Sequence, residues 1–319
     1  MSLNNKVLLS IVFPVYNEEQ SLPFLFDAII AFTTSLNDTD CEIIFVDDCS
    51  TDNTPAILRQ ACENNNSFHY LRLSKNSGSH IAIIAGMQYC KGNCAVFMAS
   101  DLQDPLQLII KMLEKWKEGY NNVWAVREQI EGISISNKIF SRLFYFLINK
   151  FAEIKLPPTG ADFALLDRKV INALLKSTGT NPSLSGLIAS LGFKSSEIMY
   201  IKEKRQHGKS KWTLSKKVKA FMDAFVQFSF APMRLMIYMG FTFAGLGFLY
   251  ALFIIMLRIF SNTPILGWAS IMIVVLVVSG VQMIMIGVLG EYLWRNLEES
   301  RKKPLYFIEE SSDNDTHGK

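Results

Sequence analysis

Four polar clusters in the first third of the chain hold the residues best suited to chemistry. They are Pro14-Val15-Tyr16-Asn17-Glu18-Glu19, Asp47-Asp48-Cys49-Ser50-Thr51-Asp52, Ser74-Lys75-Asn76-Ser77-Gly78-Ser79 and Ser100-Asp101-Leu102-Gln103-Asp104-Pro105. Ionised carboxylates only accept hydrogen bonds, which suits a ribose diol or a base N–H. They are also hard ligands for a divalent cation that carries phosphate oxygens. Gly78 lets the backbone come close to a ligand. Each cluster alone is ordinary loop chemistry, since Asp, Asn and Ser cap helices and shape turns. Asp52 and Ser79 read equally well as caps. Asp47 can satisfy backbone donors inside its own turn, and Asp104 can cap a helix that opens with Pro105. Four such clusters in succession exceed what capping requires.

Each cluster directly follows an apolar run, respectively Val7–Phe13, Glu42–Val46, Tyr70–Leu73 and Ala95–Met98, and a fifth run covers Val123–Val126. Helical patterns fill the intervals at Ser21–Ser35, Thr54–Glu63, Ile81–Tyr89 and Leu106–Trp116. Continuous apolar strands separated by helices predict an α/β domain with a mostly parallel sheet covered on both faces. Ligands of such sheets bind at the carboxyl ends of the strands, which is where the four clusters fall.

The second half differs in composition. Half of the 319 residues are hydrophobic, and the mean hydropathy is +0.20. Leu235 to Leu257 contains no charge, nor does Ile259 to Gly290 after Arg258. Each run exceeds the roughly 20 apolar residues needed to cross a bilayer, and Ser261-Asn262-Thr263-Pro264 supplies a turn. Basic residues flank the pair: Lys202, Lys204, Arg205, Lys209, Lys211, Lys216, Lys217, Lys219 and Arg234 before it, Arg295, Arg301, Lys302 and Lys303 after it. The positive-inside rule then predicts both termini in the cytosol, as a multi-pass protein of the bacterial inner membrane. The predicted organisation is a cytosolic domain over 1–212, a juxtamembrane interfacial amphipathic helix within 213–234, transmembrane helices at about 235–258 and 267–290, and a cytosolic tail over 295–319. No secretory signal is expected, because the apolar N-terminal run holds Pro14, Asn17 and Glu18. The five cysteines show no metal-pair spacing and fit a reduced compartment. A net charge of +3, with the basic residues beside the membrane, predicts anionic lipid rather than nucleic acid as the basic region's partner.

Three segments give a specific resemblance: Ser10-Ile11-Val12-Phe13-Pro14-Val15-Tyr16-Asn17-Glu18, Val46 through Thr54, and Asp101-Leu102-Gln103-Asp104-Pro105. Together they resemble the opening signatures of the family 2 glycosyltransferases, which have the Rossmann-like GT-A fold. Gly287-Val288-Leu289-Gly290-Glu291-Tyr292-Leu293 after two spans is similar to the bacterial polyprenyl-phosphate (bactoprenol) branch, related to dolichol-phosphate mannose synthase. The resemblance covers nearly the whole chain. It implies an inverting, metal-dependent transfer of one sugar from a nucleotide sugar, a UDP-sugar, to undecaprenyl or another polyprenyl phosphate for cell-envelope glycan. It implies nucleotide-sugar contacts from Pro14, Tyr16, Glu18, Asp47, Asp48, Gly78, Ser100 and Asp101. Mg2+ or Mn2+ would sit on Asp101, with Asp104 as a second candidate. Asp162, in Gly160 through Arg168, would face the acceptor, either positioning it or acting as a base. Arg205, His207, Lys209, Ser210 and Lys211 would meet the diphosphate and the lipid phosphate. Asp101, Asp162 and Arg205 are then the catalytic set, and a homotetramer is the implied assembly. Gly240, Ala244, Gly245 and Gly247 suit close helix packing, between copies or within one hairpin.

The chain departs from the family pattern once: Ala99 stands where the family's Asp-x-Asp has its first carboxylate. That favours one alternative, a non-catalytic membrane protein that binds sugar nucleotides. A processive polysaccharide synthase is the other alternative. It fits less well, because no Gln-x-x-Arg-Trp motif occurs and two spans do not enclose a polymer.

Overall fold

The computed structural model describes residues 6–36, 38–127, 161–177, 184–201, 231–260, 267–301 and 303–312. The predicted interfacial helix as far as residue 230, the turn at 261–264 and the basic loop from Arg205 to Trp212 lie outside these residues; residues 231–234, expected to end the interfacial helix, instead open the long helix Ala231–Phe260. The chain divides into two compact units: Met1–Ala224 together with Pro304–Lys319, and Phe225–Lys303.

The first unit is built on one eight-stranded sheet. Its strands are β1 (Val7–Val15), β2 (Thr39–Asp47), β3 (Phe68–Leu73), β4 (Cys94–Phe97), β5 (Asn122–Arg127), β6 (Ala161–Asp167), β7 (Ser195–Tyr200) and β8 (Ile308–Ser311). They lie in the order β7-β5-β6-β4-β1-β2-β3-β8. The pairs β1–β2, β1–β4, β2–β3 and β5–β7 are parallel, while β4–β6, β5–β6 and β3–β8 are antiparallel. The predicted α/β architecture with a mostly parallel sheet is therefore present. The five predicted strands and four intervening helices all form: α1 (Leu22–Ser35), α2 (Thr54–Asn64), α3 (Ser79–Tyr89) and α4 (Leu108–Lys117). Further on come α5 (Arg168–Lys176) and α6 (Leu184–Ser190).

Burial explains why the central strands carry no polar alternation. Ile11, Val12 and Phe13 of β1 and Ile43, Phe45 and Val46 of β2 are fully buried, so both faces of these strands are dry. On one face α3 comes very close. A Cβ added at Gly86 would lie 2.3 Å from Val12 Cγ1 and 3.0 Å from Val46 Cγ2. Both neighbours are β-branched and stiff at χ1, so neither can yield by changing rotamer. The missing side chain at Gly86 thus sets the separation of α3 from β1 and β2.

The second unit holds α7 (Ala231–Phe260) and α8 (Trp268–Ser300). The apolar stretches Met236–Met256 and Val277–Glu298 have mean hydropathies of 2.0 and 1.4, and neither is buried by protein. Phe241, Phe248, Leu249, Met283 and Ile284 are all more than half exposed. Such surface is too apolar for water and marks membrane association. At 1.5 Å per residue, α8 is about 50 Å long, more than the ~30 Å hydrocarbon core. Its last turns carry Glu291, Arg295, Glu298 and Glu299, which suit the polar side of that boundary. Of the small residues on α7, Gly240 faces α8, with Met285 Cε 3.9 Å from its added Cβ. Gly245 and Gly247 meet nothing within 4 Å.

Replacing Gly86 by Ala should destabilise the first unit by about 1–3 kcal/mol through overpacking. Urea unfolding followed by tryptophan fluorescence checks this. An unchanged midpoint would mean that α3 can move away without cost.

Candidate active site

The order of the strands reverses at β1: β2 follows on one side and β4, after a crossover, lies on the other. Loops leaving β1 and β4 diverge there, opening the crevice in which α/β sheets hold ligands. The cluster after β1 contains Tyr16 and Glu18, and the one after β4 contains Asp101. These two therefore flank the switch point, and the cluster after β2 lies beside them.

The loops are tied to one another before any ligand is considered. β1 and β2 run in register from Val7 opposite Thr39 to Val15 opposite Asp47, and Asp48 N–H donates to the Val15 carbonyl at 2.8 Å. Beyond the strands, Asn17 N–H donates to Ser50 Oγ (2.9 Å) and Thr51 N–H to Asn17 Oδ1 (2.8 Å). Glu18 N–H donates to Thr54 Oγ1 at 2.9 Å, and Asn53 N–H to Glu19 Oε2 at 3.1 Å. Asp52 accepts from Thr54 N–H (3.1 Å) and from Glu19 N–H (3.4 Å), so it both shapes its own turn and joins the two loops. Ser21 Oγ donates to Glu18 Oε2 at 2.7 Å, holding that carboxylate near its backbone.

Asp47 and Asp48 have different surroundings. Asp47 is fully buried; its Oδ1 accepts from Ser50 N–H at 3.0 Å and its Oδ2 from Arg72 Nη1 at 2.7 Å. Burial pushes its carboxyl up from the ordinary range, against the opposing pull of Ser50 and Arg72. Asp47 thus satisfies donors of its own turn, one of the two roles open to it from sequence. Asp48 is 3% exposed and spans to the next loop, accepting from Ser77 N–H at 2.6 Å and from Gly78 N–H at 2.8 Å. Its carboxyl too is raised, chiefly by burial. Asp48 therefore holds the loop after β3 at the same edge. Gly78 caps α3 with φ 93° and ψ 155°, a conformation essentially confined to glycine.

Each of the four loops contains one residue at positive φ: Asn17 (52°), Cys49 (61°), Gly78 (93°) and Leu102 (58°). Asn accepts this conformation readily. Cys49 and Leu102 do so at a cost of order 1–3 kcal/mol, and such outliers concentrate at functional sites.

After β4, Ser100 is buried and its Oγ donates to the Pro14 carbonyl at 3.3 Å, binding this loop to the end of β1. Asp101 is partly buried, and its Oδ1 accepts from Gln103 N–H at 3.3 Å. Asp104 is buried and accepts from Tyr200 Oη at 2.6 Å. It does not cap the helix after it, because α4 begins at Leu108 with Gln107 in the cap position. Asp162 lies near the start of β6; antiparallel pairing of β6 with β4 brings that start to the edge where Asp101 lies. Arg205, His207, Lys209, Ser210 and Lys211 fall outside the described residues.

Among the described residues, no group of three His, Cys, Asp or Glu side chains could cage a metal ion. The donors at this edge are hard oxygens, with the Asp101 carboxylate foremost. That set fits a Mg2+- or Mn2+-like cation that takes its other ligands from phosphate and water. Two residues at this edge escape the motif-based reading. Tyr200 ends a short edge strand, and Arg72 lies inside the apolar run of β3. A charge within a dry strand must find a partner, and that was the available signal for Arg72.

Removing the Tyr200 hydroxyl (Tyr200→Phe) should cost about 1–3 kcal/mol by withdrawing a donor from buried Asp104. Chemical denaturation of the two proteins checks it. Equal stabilities would mean that this bond contributes nothing.

The sequence that builds this edge is similar to those of known proteins. Residues 10–175 match the description of glycosyl transferase family 2, and residues 231–295 match that of the GtrB C-terminal hairpin. The chain is 36% identical to the Bacillus subtilis (strain 168) glycosyltransferase YkcC, over 97% of this chain and 95% of that one. It is 30% identical to the bactoprenol glucosyl transferase of Shigella phage SfX, over 94% of this chain and 98% of that one. A prophage bactoprenol glucosyl transferase homolog of Escherichia coli (strain K12) is similar to the same degree, 30% over 94% of this chain. With a GT-A sheet whose strand-end loops carry the family's motifs, and a C-terminal apolar pair of helices that matches the GtrB hairpin, this chain belongs to the family 2 glycosyltransferases.

Proposed function

We propose that the protein transfers a single sugar from a UDP-sugar to a polyprenyl phosphate, such as undecaprenyl phosphate, at the cytosolic face of the membrane. The observation that carries this reading is similarity to bactoprenol glucosyl transferases through both units, the sheet domain and the apolar hairpin. The donor is a soluble nucleotide sugar and the acceptor a lipid that cannot leave the bilayer. An enzyme joining them needs a polar site open to water and an anchor, and the strand-end loops and the apolar hairpin of this chain suit those two needs.

Connectivity supports the orientation. The hairpin is inserted between two segments of one unit, and β8, which follows it, pairs with β3 of the same sheet. Two spans return the chain to the side it left. The basic residues on both flanks favour the cytosol as that side.

In this reading Tyr16 and Glu18 face the nucleotide, while Asp47 and Asp48 keep the loops after β2 and β3 at binding distance from it. An oxygen of the acceptor phosphate attacks the anomeric carbon as the bond to the diphosphate breaks, inverting that centre and releasing UDP. The acceptor is already ionised near neutral pH, so Asp162 positions it rather than removing a proton. Arg205 offers a planar fork to phosphate oxygens, and Lys209 and Lys211 add charge. Asp101 would hold a divalent cation, which would supply charge stabilisation for the departing diphosphate. Asp104, engaged with Tyr200, supports the Asp101 loop. With Ala99 in place of a carboxylate, the cation would depend on a single protein carboxylate and on the substrate's own oxygens.

The test is incubation of the purified, detergent-solubilised protein with undecaprenyl phosphate and a panel of UDP- and GDP-sugars, reading product mass. A monoglycosylated lipid phosphate from one UDP-sugar is expected. Asp101→Ala should lower the rate about a hundredfold or more, corresponding to several kcal/mol of lost charge stabilisation. EDTA should stop the reaction, and Mg2+ or Mn2+ should restore it. No glycolipid from any donor, beside an active relative, would remove the proposal. Full activity in EDTA would remove the metal from it.

A further inference from the structure

Beyond α8 the chain returns to the sheet and makes a dense set of contacts. Leu305 and Tyr306 pack on the core, and Tyr306 Oη donates to Gln88 Oε1 at 2.6 Å. Ser74 N–H donates to the Phe307 carbonyl at 3.0 Å. Ser312 bonds Tyr70 in both directions, accepting from its N–H at Oγ and donating to its carbonyl, each at 2.9 Å. Between these points β8 lies antiparallel on β3, with Leu71 opposite Ser311, Arg72 opposite Glu310 and Leu73 opposite Ile308. The register skips Glu309, which is therefore the inserted residue of a bulge. Bulges re-aim side chains at sheet edges.

The two glutamates of β8 go to different places. Glu310 takes Arg59 with both oxygens, at 2.6 and 2.8 Å. Glu309 accepts from Arg72 Nε at 2.8 Å. The same guanidinium donates from Nη1 to Asp47 Oδ2 at 2.7 Å and from Nη2 to the Ser50 carbonyl at 3.3 Å. Arg72 is 17% exposed and Asp47 is not exposed at all. One planar group thus joins the bulge of β8 to the carboxylate and the carbonyl that shape the loop after β2.

We propose that Glu309 is a positioning residue of the nucleotide site, acting through Arg72 on the Asp47–Ser50 turn. The inference rests on the nucleotide-sugar reading given above. A guanidinium donates in a fixed fork, so holding Nε fixes the plane in which both Nη groups point. Without Glu309 the guanidinium keeps its bonds to Asp47 and the Ser50 carbonyl but loses its anchor at Nε, and buried Asp47 loses part of the restraint that aligns its charged partner. The turn it shapes leads directly into Asp48, which holds Ser77 and Gly78. The segment that leaves the second apolar helix is in this way a working part of the nucleotide-binding edge.

The experiment is calorimetric titration of the full-length protein in detergent with UDP and Mn2+, with GDP as a second probe. The parent is compared with Glu309→Ala, Glu309→Gln and Glu310→Ala. Glu310→Ala weakens the same strand through Arg59 and leaves all the hydrogen bonds of the Arg72 guanidinium to Glu309, Asp47 and Ser50 in place, so it reports chiefly the effect of strand docking. Glu309→Ala should raise Kd about fivefold, the low end of coupling between linked groups, because the Glu309 side chain is 54% exposed. Glu309→Gln, which keeps an acceptor for Nε, should recover part of that loss, and Glu310→Ala should stay within about twofold of the parent. The proposal is overturned if Glu309→Ala binds as the parent does, or if Glu310→Ala loses as much affinity as Glu309→Ala. A parent that binds neither nucleotide overturns the nucleotide reading, and this inference with it.

Discussion

The nine-residue parallel register between β1 and β2 is the constraint on which the rest of the molecule depends. It brings both strands to an end at the same level, Val15 beside Asp47, so that the loops beyond them must share one small volume. Backbone donors freed at that edge cannot all reach water. Asn17, Ser50, Asp52 and Thr54 satisfy them, and Asp48 extends the same service to the loop after β3. Much of what reads as binding chemistry in the motifs is therefore also the means by which four loops are held at one edge. The two roles are compatible, because a site must be rigid before it can be selective.

The central part of this design was legible in the sequence because it is written in local patterns. β1 to β5 are apolar runs of strand length, α1 to α4 fill the gaps, and the polar clusters fall where strands end. Three strands lay outside that reading: β6, which entered only through the family resemblance around Asp162, and β7 and β8. β7 alternates exposed and less exposed positions over only six residues, a weak signal at a sheet edge. β8 reads Ile-Glu-Glu-Ser, which no apolar pattern would mark as a strand. Its acidity is matched by Arg59 and Arg72, more than two hundred residues earlier. Complementarity at that distance is a tertiary property, and the region beyond α8 reads locally as a charged tail.

The division of labour inside the Asp-Asp pair was likewise beyond the sequence. Adjacent residues of the same type have opposite assignments: Asp47 turns back into its own loop and to Arg72, and Asp48 reaches forward to Ser77 and Gly78. Strand alternation sends neighbouring side chains in different directions, but which partners await them depends on β3 and its loop. Asp104 gives a similar lesson. Beside Pro105 it has the local form of a helix cap, yet the helix starts later and the carboxylate meets Tyr200 from another strand. Leu102, an aliphatic residue at positive φ, carries no warning in its identity.

The placement of β8 has a consequence for how the protein is made. The outer edge of β3 is a row of unpaired backbone groups until Ile308–Ser311 arrive. Synthesis delivers these residues only after both apolar helices have left the ribosome. Until then the nascent domain presents an open strand, the kind of edge that invites pairing with another chain. Completion of the sheet is thereby ordered after production of the hairpin. A chain interrupted before that point would keep its apolar helices but leave the edge beside its strand-end loops unprotected.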